Sequence, residues 1–245
     1  MNIGAVILTK TADKAFFDMT VHCIHTLELA CKIAKVPCHI VVMESDTEAA
    51  ERGFVYSGET AKVETIVPVH PFNFNKFYNI GMARLQDSEL LLFLNNDLIF
   101  NEFSIHRTVE FFTKYPELMS ATPIDPEYST HKKCLGITEP IWGYKVKNQV
   151  CGWAVFARRE VFDKIGKWDE QFIFWYQDND YANTIQAAGL KHALLPTVFV
   201  FHLENKSHKV IPRGKSKDFK ENMKQVYLNK WKEKSQSSGL PEKLF

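Results

Sequence analysis

Residues 3–9 read Ile-Gly-Ala-Val-Ile-Leu-Thr, an unbroken apolar run too short for a helix and without a polar face. A strand covered on both sides has this character. Over residues 13–35 the period changes: Phe17, Val21, Ile24, Leu27 and Cys31 recur every three or four positions, which predicts an amphipathic helix that Pro37 stops. Further strands are predicted at 39–43, 63–67 and 89–94, with a helix at 76–85 between the last two. This βαβαβ alternation implies parallel strands joined by right-handed crossovers, helices on both sheet faces, and ligands bound at the carboxyl ends of the strands. Chemistry should therefore gather just after Thr9, Met43 and Leu94.

The stretch 123–149 has scattered prolines and glycines and no sustained period, and reads as a long functional loop or lid. A second αβ section follows, with helices predicted at 159–165 and 180–188 and a strand at 194–202. No internal repeat or low-complexity segment is present.

A chain of 245 residues with 45% hydrophobic and 13% aromatic content suffices for one large core. The net charge of +1 is unevenly spread. Ten basic residues (Lys206, Lys209, Arg213, Lys215, Lys217, Lys220, Lys224, Lys230, Lys232, Lys234) face three acidic ones between 206 and 234, so an acidic body carries a basic end. The five cysteines (Cys23, Cys31, Cys38, Cys134, Cys151) include no Cys-x-x-Cys pair and read as buried or partly buried thiols. No run of about 18 apolar residues and no basic, small-residue leader is present, so a cytoplasmic protein is the expectation.

The strongest local signal is Leu91-Leu92-Phe93-Leu94-Asn95-Asn96-Asp97, an apolar strand running into a polar, acidic end. A hard divalent cation bridging two phosphates needs oxygen ligands at such a place, although Asn and Asp also simply make good turns. Around it stands an ordered series: Phe72-Asn73-Phe74-Asn75-Lys76-Phe77-Tyr78-Asn79-Ile80-Gly81, then Cys151-Gly152-Trp153-Ala154-Val155-Phe156, then Ile165-Gly166-Lys167-Trp168-Asp169-Glu170-Gln171-Phe172, then Trp175-Tyr176-Gln177-Asp178-Asn179-Asp180-Tyr181, Ala188-Gly189-Leu190, and Phe199-Val200-Phe201-His202. From about residue 3 to 203 this series resembles the GT-A glycosyltransferases of the large, mostly inverting family 2.

The resemblance implies an α/β, Rossmann-like GT-A fold with a mostly parallel central sheet, as a catalytic domain over 1–203, with 204–245 a basic extension carrying an amphipathic helix. It implies a metal-dependent transferase using Mn2+ or Mg2+ and a nucleotide-sugar donor, most naturally a UDP-sugar. Asn95-Asn96-Asp97 stands where the family has Asp-x-Asp; Asp97 matches the metal-binding acid and His202 the histidine metal ligand. Asp178 matches the catalytic base, while Gln177 replaces the usual Glu beside it. Asp180 would orient the acceptor or cap its helix. Thr9 corresponds to the position that touches base and ribose, Glu44 and Asp46 to the acids that recognise them, and Lys76 and Asn79 to the segment lining the donor pocket. Trp153 falls in the floor of the acceptor site, where an aromatic stacks on a sugar or base or packs in the core.

A nucleotidyltransferase would carry a glycine-rich loop after the first strand, whereas Thr9-Lys10-Thr11-Ala12-Asp13 has no glycine. A non-catalytic nucleotide-sugar or polyanion binding module is the reading that Asn95 and Gln177 favour. For the acceptor, Phe219, Met223, Val226, Tyr227 and Trp231 form an apolar stripe at helical spacing. It would dock on the catalytic domain, or lie in an anionic membrane surface beside a lipid-linked acceptor or glycan. If it docks, the lysines with Lys209, Arg213 and Lys215 would form a track for nucleic-acid phosphates. Sugar transfer to a hydroxylated base in DNA, as phage enzymes perform, is the acceptor favoured here, with Trp153 stacking on an exposed base.

Overall fold

The apolar run at the start of the chain becomes β1 (Ile3–Thr9), buried along its whole length at the centre of a nine-stranded sheet. The computed structural model describes residues 1–203 and 213–238, with the side chains of 218–233 in the last helix. Beside β1 run β2 (Cys38–Glu44) and β4 (Leu90–Asn95), both parallel to it, and β3 (Lys62–Ile66) extends the sheet beyond β2. The register pairs Thr9 with Glu44 and Leu8 with Asn95, so three strand ends finish at one edge.

Alternate residues of these strands go to opposite faces, and both faces are covered. Ile3, Ala5 and Ile7 join Ile40, Val42, Leu90, Leu92 and Leu94 in the core beneath α1 (Lys14–Ala34) and α3 (Ser104–Lys114). Val6, Leu8, Val41, Met43, Leu91 and Phe93 join the core beneath α2 (Phe74–Ala83), α4 (Arg159–Ile165) and α5 (Gln177–Ala187). That double coverage is why these strands read as continuous apolar runs. Asp13 starts α1 by accepting hydrogen bonds from the Ala15 and Phe16 amides. Gly81 lets α2 lie on β1, since a Cβ there would stand 2.5 Å from Val6 Cγ1.

The second half of the sheet departs from simple alternation. The strand order is β3-β2-β1-β4-β8-β6-β9-β5, with β7 (Ile141–Trp142) also pairing β9 (Lys191–His202). Here β8 (Ala154–Arg158) inserts antiparallel between β4 and β6 (Leu118–Ile124), while β6 and β9 are parallel. The short β5 (Leu98–Phe100) returns antiparallel along β9. Six of the nine strands share one direction, as expected for a mostly parallel sheet. The stretch read as a loop over 123–149 contains the end of β6, a 3-10 turn at Lys132–Cys134 and β7. The last helix, α6 (Arg213–Ser238), packs Met223, Tyr227 and Trp231 inward.

Candidate functional site

The edge where β1, β2 and β4 end carries the candidate residues. β4 runs out through Asn95 and Asn96 to Asp97, and β5 then pairs Leu98 with His202 at the end of β9. Asp97 and His202 are thereby brought together: the Leu203 amide donates to Asp97 O at 2.9 Å, and His202 Nε2 lies 3.2 Å from Asp97 Oδ1. The approach is close but lacks hydrogen-bond geometry, so Oδ1 is a buried carboxylate oxygen with no donor aimed at it. The Asp97 side chain is 6% exposed and that of His202 18%. One oxygen and one imidazole nitrogen converge there, a donor set suited to a divalent cation.

Trp153 supports this pair. Its ring stacks on His202 with centroids 5.4 Å apart, its carbonyl accepts from the Asn95 amide at 2.9 Å, and its ring also meets buried His131. It is 8% exposed and packs against the two imidazoles, in keeping with the core-packing alternative for this indole.

The neighbouring Gly152 makes the second junction. A Cβ there would stand 3.2 Å from Asp178 Cβ and 3.5 Å from Gln177 Nε2, so any larger residue would push the first turn of α5 back by a few tenths of an ångström. Residues 152 and 153 thus touch Asp178 on one side and His202 on the other. Desolvation by the surrounding protein holds the Asp178 carboxyl above the usual range, partly offset by the Asn179 amide and by the charge of Lys147. Burial, reinforced by the Asp178 charge, pushes the Cys151 thiol up to about 12, so it stays protonated. Gln177 Oε1 is buried beside Asp178 without a hydrogen-bond partner.

Two buried histidines hold the loop leading into Gly152. His131 donates from Nε2 to Asn148 O at 2.9 Å, its Nδ1 accepting from the Asp125 amide. His192 donates from Nε2 to Gln149 O at 2.8 Å and accepts at Nδ1 from Ser120, whose oxygen meets the Tyr181 hydroxyl at 2.7 Å. Burial lowers both imidazole pKa values, that of His192 to about 4, so both act as neutral donors. Neither histidine, nor Lys147, stands out in the sequence: His131 and Lys147 are lone residues in an unpatterned stretch, and a lone histidine at the start of β9 carries no local signal of its partners.

Several candidates prove to be braces. Asn96 turns inward and donates to the Thr9 and Thr20 hydroxyls at 3.0 and 2.9 Å, which occupies the Thr9 side chain expected at the ribose. Glu44 is 1% exposed; it accepts from the Thr11 and Asp46 amides and meets the Tyr56 hydroxyl, tying the β1 and β2 ends together. Of the two acids, Asp46 is the more open, paired with Arg52 at 2.7 Å. Asn79, expected in the donor pocket, has its amide taken by the Trp168 backbone and Glu170, and so pins the 165–172 segment to α2. Lys76 is half-buried in the first turn of α2, and Asn95 is half-buried at the end of β4.

Asp180 lies inside its helix rather than capping it. It is buried against α6, where Lys230 Nζ contacts both its oxygens and Trp231 Nε1 donates to Oδ1 at 2.9 Å. Met223, Tyr227 and Trp231 being buried, the docked arrangement of the stripe holds and the stripe is unavailable to a membrane surface. No described helix is long and apolar enough to cross a membrane. Lys206 and Lys209 lie outside the described residues, as do the side chains of Arg213, Lys215, Lys217 and Lys234. Among the described residues all five cysteines are free, and no cluster of three or more His, Cys, Asp or Glu side chains is assembled for a metal.

No family model and no curated protein matches the chain. Solved structures do. A mannosyltransferase from Pyrobaculum calidifontis, in complex with GDP-Man and Mn2+, superposes with a TM-score of 0.58 at 11% identity over 84% of this chain and 57% of its own. GalNAc-T7 with UDP, GalNAc and Mn2+ gives 0.60 at 13% identity over 84% of this chain and 43% of its own. A Drosophila β-1,4-galactosyltransferase 7 variant with manganese, UDP-Gal and xylobiose gives 0.52 at 15% identity over 86% and 74%. The chain spans about half the length of the mannosyltransferase and of GalNAc-T7, 57% and 43%. With its strand order and its acid and histidine at neighbouring strand ends, the chain has the GT-A fold of nucleotide-sugar glycosyltransferases.

Proposed function

We propose that the protein is a metal-dependent, inverting glycosyltransferase that moves a sugar from a nucleotide-sugar donor to an acceptor hydroxyl. The observation that carries this reading is the convergence of Asp97 Oδ1 and His202 Nε2 at 3.2 Å, joined through Trp153 and Gly152 to Asp178. Asp97 and His202 would hold Mn2+ or Mg2+, with the donor phosphates supplying further oxygens. A cation held there would supply positive charge against the diphosphate leaving group. Asp178 accepts the acceptor proton, and its desolvated carboxylate is a stronger base than an exposed one. Asp46 with Arg52 stands at the mouth of the β1–β2 edge, where the nucleoside would lie, with Thr9 and Glu44 shaping that edge from beneath. A UDP-sugar is the donor we propose, since two of the three superposed enzymes are complexes with UDP or UDP-Gal.

For the acceptor we propose DNA carrying a hydroxylated base, on the strength of the basic run between 206 and 234. Lys220 and Lys232 of that run are exposed on α6, while Lys230 is engaged by Asp169 and Asp180. A glycan or lipid-linked acceptor is the second reading, favoured by the xylobiose in the galactosyltransferase complex. The test is donor hydrolysis and transfer with Mn2+ present, using UDP-sugars with hydroxymethylated duplex DNA and with oligosaccharides. A protein that binds donor but neither hydrolyses nor transfers it would be the non-catalytic binding module. DNA binding should weaken by orders of magnitude between about 50 and 200 mM salt; absence of binding at low salt removes the DNA reading.

A further inference from the structure

The helix that carries Asp178 has no side-chain cap, and the local side-chain bond in its first turn is that of Asp178 itself, whose Oδ1 accepts from the Asn179 amide at 2.9 Å. Tyr176, the residue before α5, sits in the left-handed region (φ 66°, ψ 5°) and makes no side-chain capping bond. That conformation is unfavourable for a side chain with a Cβ, and contacts from elsewhere can offset its cost. Here α6 supplies such contacts. The Tyr227 ring lies 5.4 Å from that of Tyr176, and its hydroxyl accepts from Asn183 Nδ2 at 2.7 Å. Phe219 meets Trp175 at 5.7 Å. Lys230 Nζ reaches Asp169 at 2.7 Å and both oxygens of Asp180, while Trp231 donates to Asp180. Phe172, Tyr227 and Trp231 form their own buried cluster.

The contacts of α6 therefore fall on residues 169–176 ahead of Asp178 and on 180–183 behind it, whereas Asp178 itself faces Gly152. Lys230 spans the two sides, one cation shared by two carboxylates eleven positions apart in sequence. We infer that α6 is a strut for the catalytic turn and that Lys230, with Trp231, is a positioning residue for Asp178. This rests on the role proposed above for Asp178. It also gives the end of the chain a task that is independent of which acceptor is used.

The experiment compares Lys230→Met, Trp231→Phe and Lys230→Arg with the full chain, well below the melting temperature of each. Lys230→Met should lower kcat by about ten- to a hundredfold, the scale of a base displaced by an ångström. The donor KM should stay within about twofold, because Asp97 and His202 lie on other elements. Lys230→Arg should recover most of the loss, and Trp231→Phe should show a smaller loss of the same kind. With Asp178 released into solvent, the acid limb of the kcat profile should move to lower pH, a change that mere partial unfolding does not produce. Amide hydrogen exchange across 174–183 should quicken in Lys230→Met while that of 91–100 stays as in the wild type. Wild-type kcat in a folded Lys230→Met, a loss no larger than its unfolded fraction, or unchanged exchange at 174–183 would each overturn the inference. A wild-type protein that turns over no donor would instead sink the proposed function, and the exchange measurement then decides the strut alone.

Discussion

The imidazole of His202 lies nearly flat on the indole of Trp153, with 15° between the ring planes, and this contact leaves Nε2 free to face Asp97. A residue that fixes the orientation of a metal-binding histidine influences affinity without touching the metal.

If that is how the pair works, Trp153→Leu should raise the Mn2+ concentration needed for half-maximal turnover by about ten- to a hundredfold, while Trp153→Phe keeps a ring face and loses less. Asp97→Asn and His202→Ala should reduce metal-dependent turnover further. Titrating Mn2+ into each variant after chelation checks the order. Full metal-dependent activity in both Asp97→Asn and His202→Ala would show that the metal is held elsewhere.

Asp178→Asn should preserve donor binding and lower kcat by roughly a hundredfold or more, since general base catalysis contributes about 10²–10⁴. Desolvation raises the Asp178 pKa, and the base works only when deprotonated, so the rate should fall as pH drops through a value above the ordinary carboxylate range. NMR of the product should show an inverted anomeric centre. Retained configuration is incompatible with a single displacement assisted by one base.

Gly152→Ala places a Cβ 3.2 Å from Asp178 Cβ, which forces the carboxylate or its helix to give way by a few tenths of an ångström. Turnover should drop about tenfold or more, because catalysis is sensitive to small displacements of the reacting groups, with melting temperature changed little. Activity equal to wild type would mean that the close packing of Gly152 on Asp178 has no part in placing the base.

Burial pulls the His192 pKa down from its ordinary 6.5 to about 4 in the folded protein. The folded state excludes the proton that the unfolded chain takes up, so its contribution is complete above about pH 6.5 and is lost as pH falls towards 4. The full shift corresponds to about 3 kcal/mol as an order of magnitude. Urea unfolding between pH 7.5 and 4 should show this decline, and His192→Gln should flatten it. An equally steep decline in that variant would assign the pH dependence to other groups.

Much of the first half of the fold was legible in residue order. The apolar runs of β1, β2 and β4 and the three-four spacing of α1 express burial on two faces and on one, respectively, and local periodicity reports burial directly. The second half was less so. β6 and β8 carry no local pattern that sets them apart from the irregular stretches around them, and α3 has no counterpart among the predicted helices although Ile105, Thr108, Phe111 and Phe112 form its buried face. Nothing local announces that β8 inserts antiparallel between β4 and β6, because pairing is a contact between segments distant in sequence.

The candidate site divides along the same line. Residue order alone shows that Asp97 follows one buried strand and His202 ends another, where apolar runs meet polar residues, whereas Asp178 falls just ahead of the helix read at 180–188 and is marked by the family resemblance. Which polar atoms remain free for a ligand is settled by packing. Asn96 is spent on Thr9 and Thr20, Asn79 on Trp168, and Asp180 on Lys230 and Trp231, fifty residues away, whereas Asp97 Oδ1 has no donor aimed at it. A polar side chain's chemistry depends on whether its hydrogen-bonding capacity is already satisfied, and its partners are set by packing rather than by position along the chain.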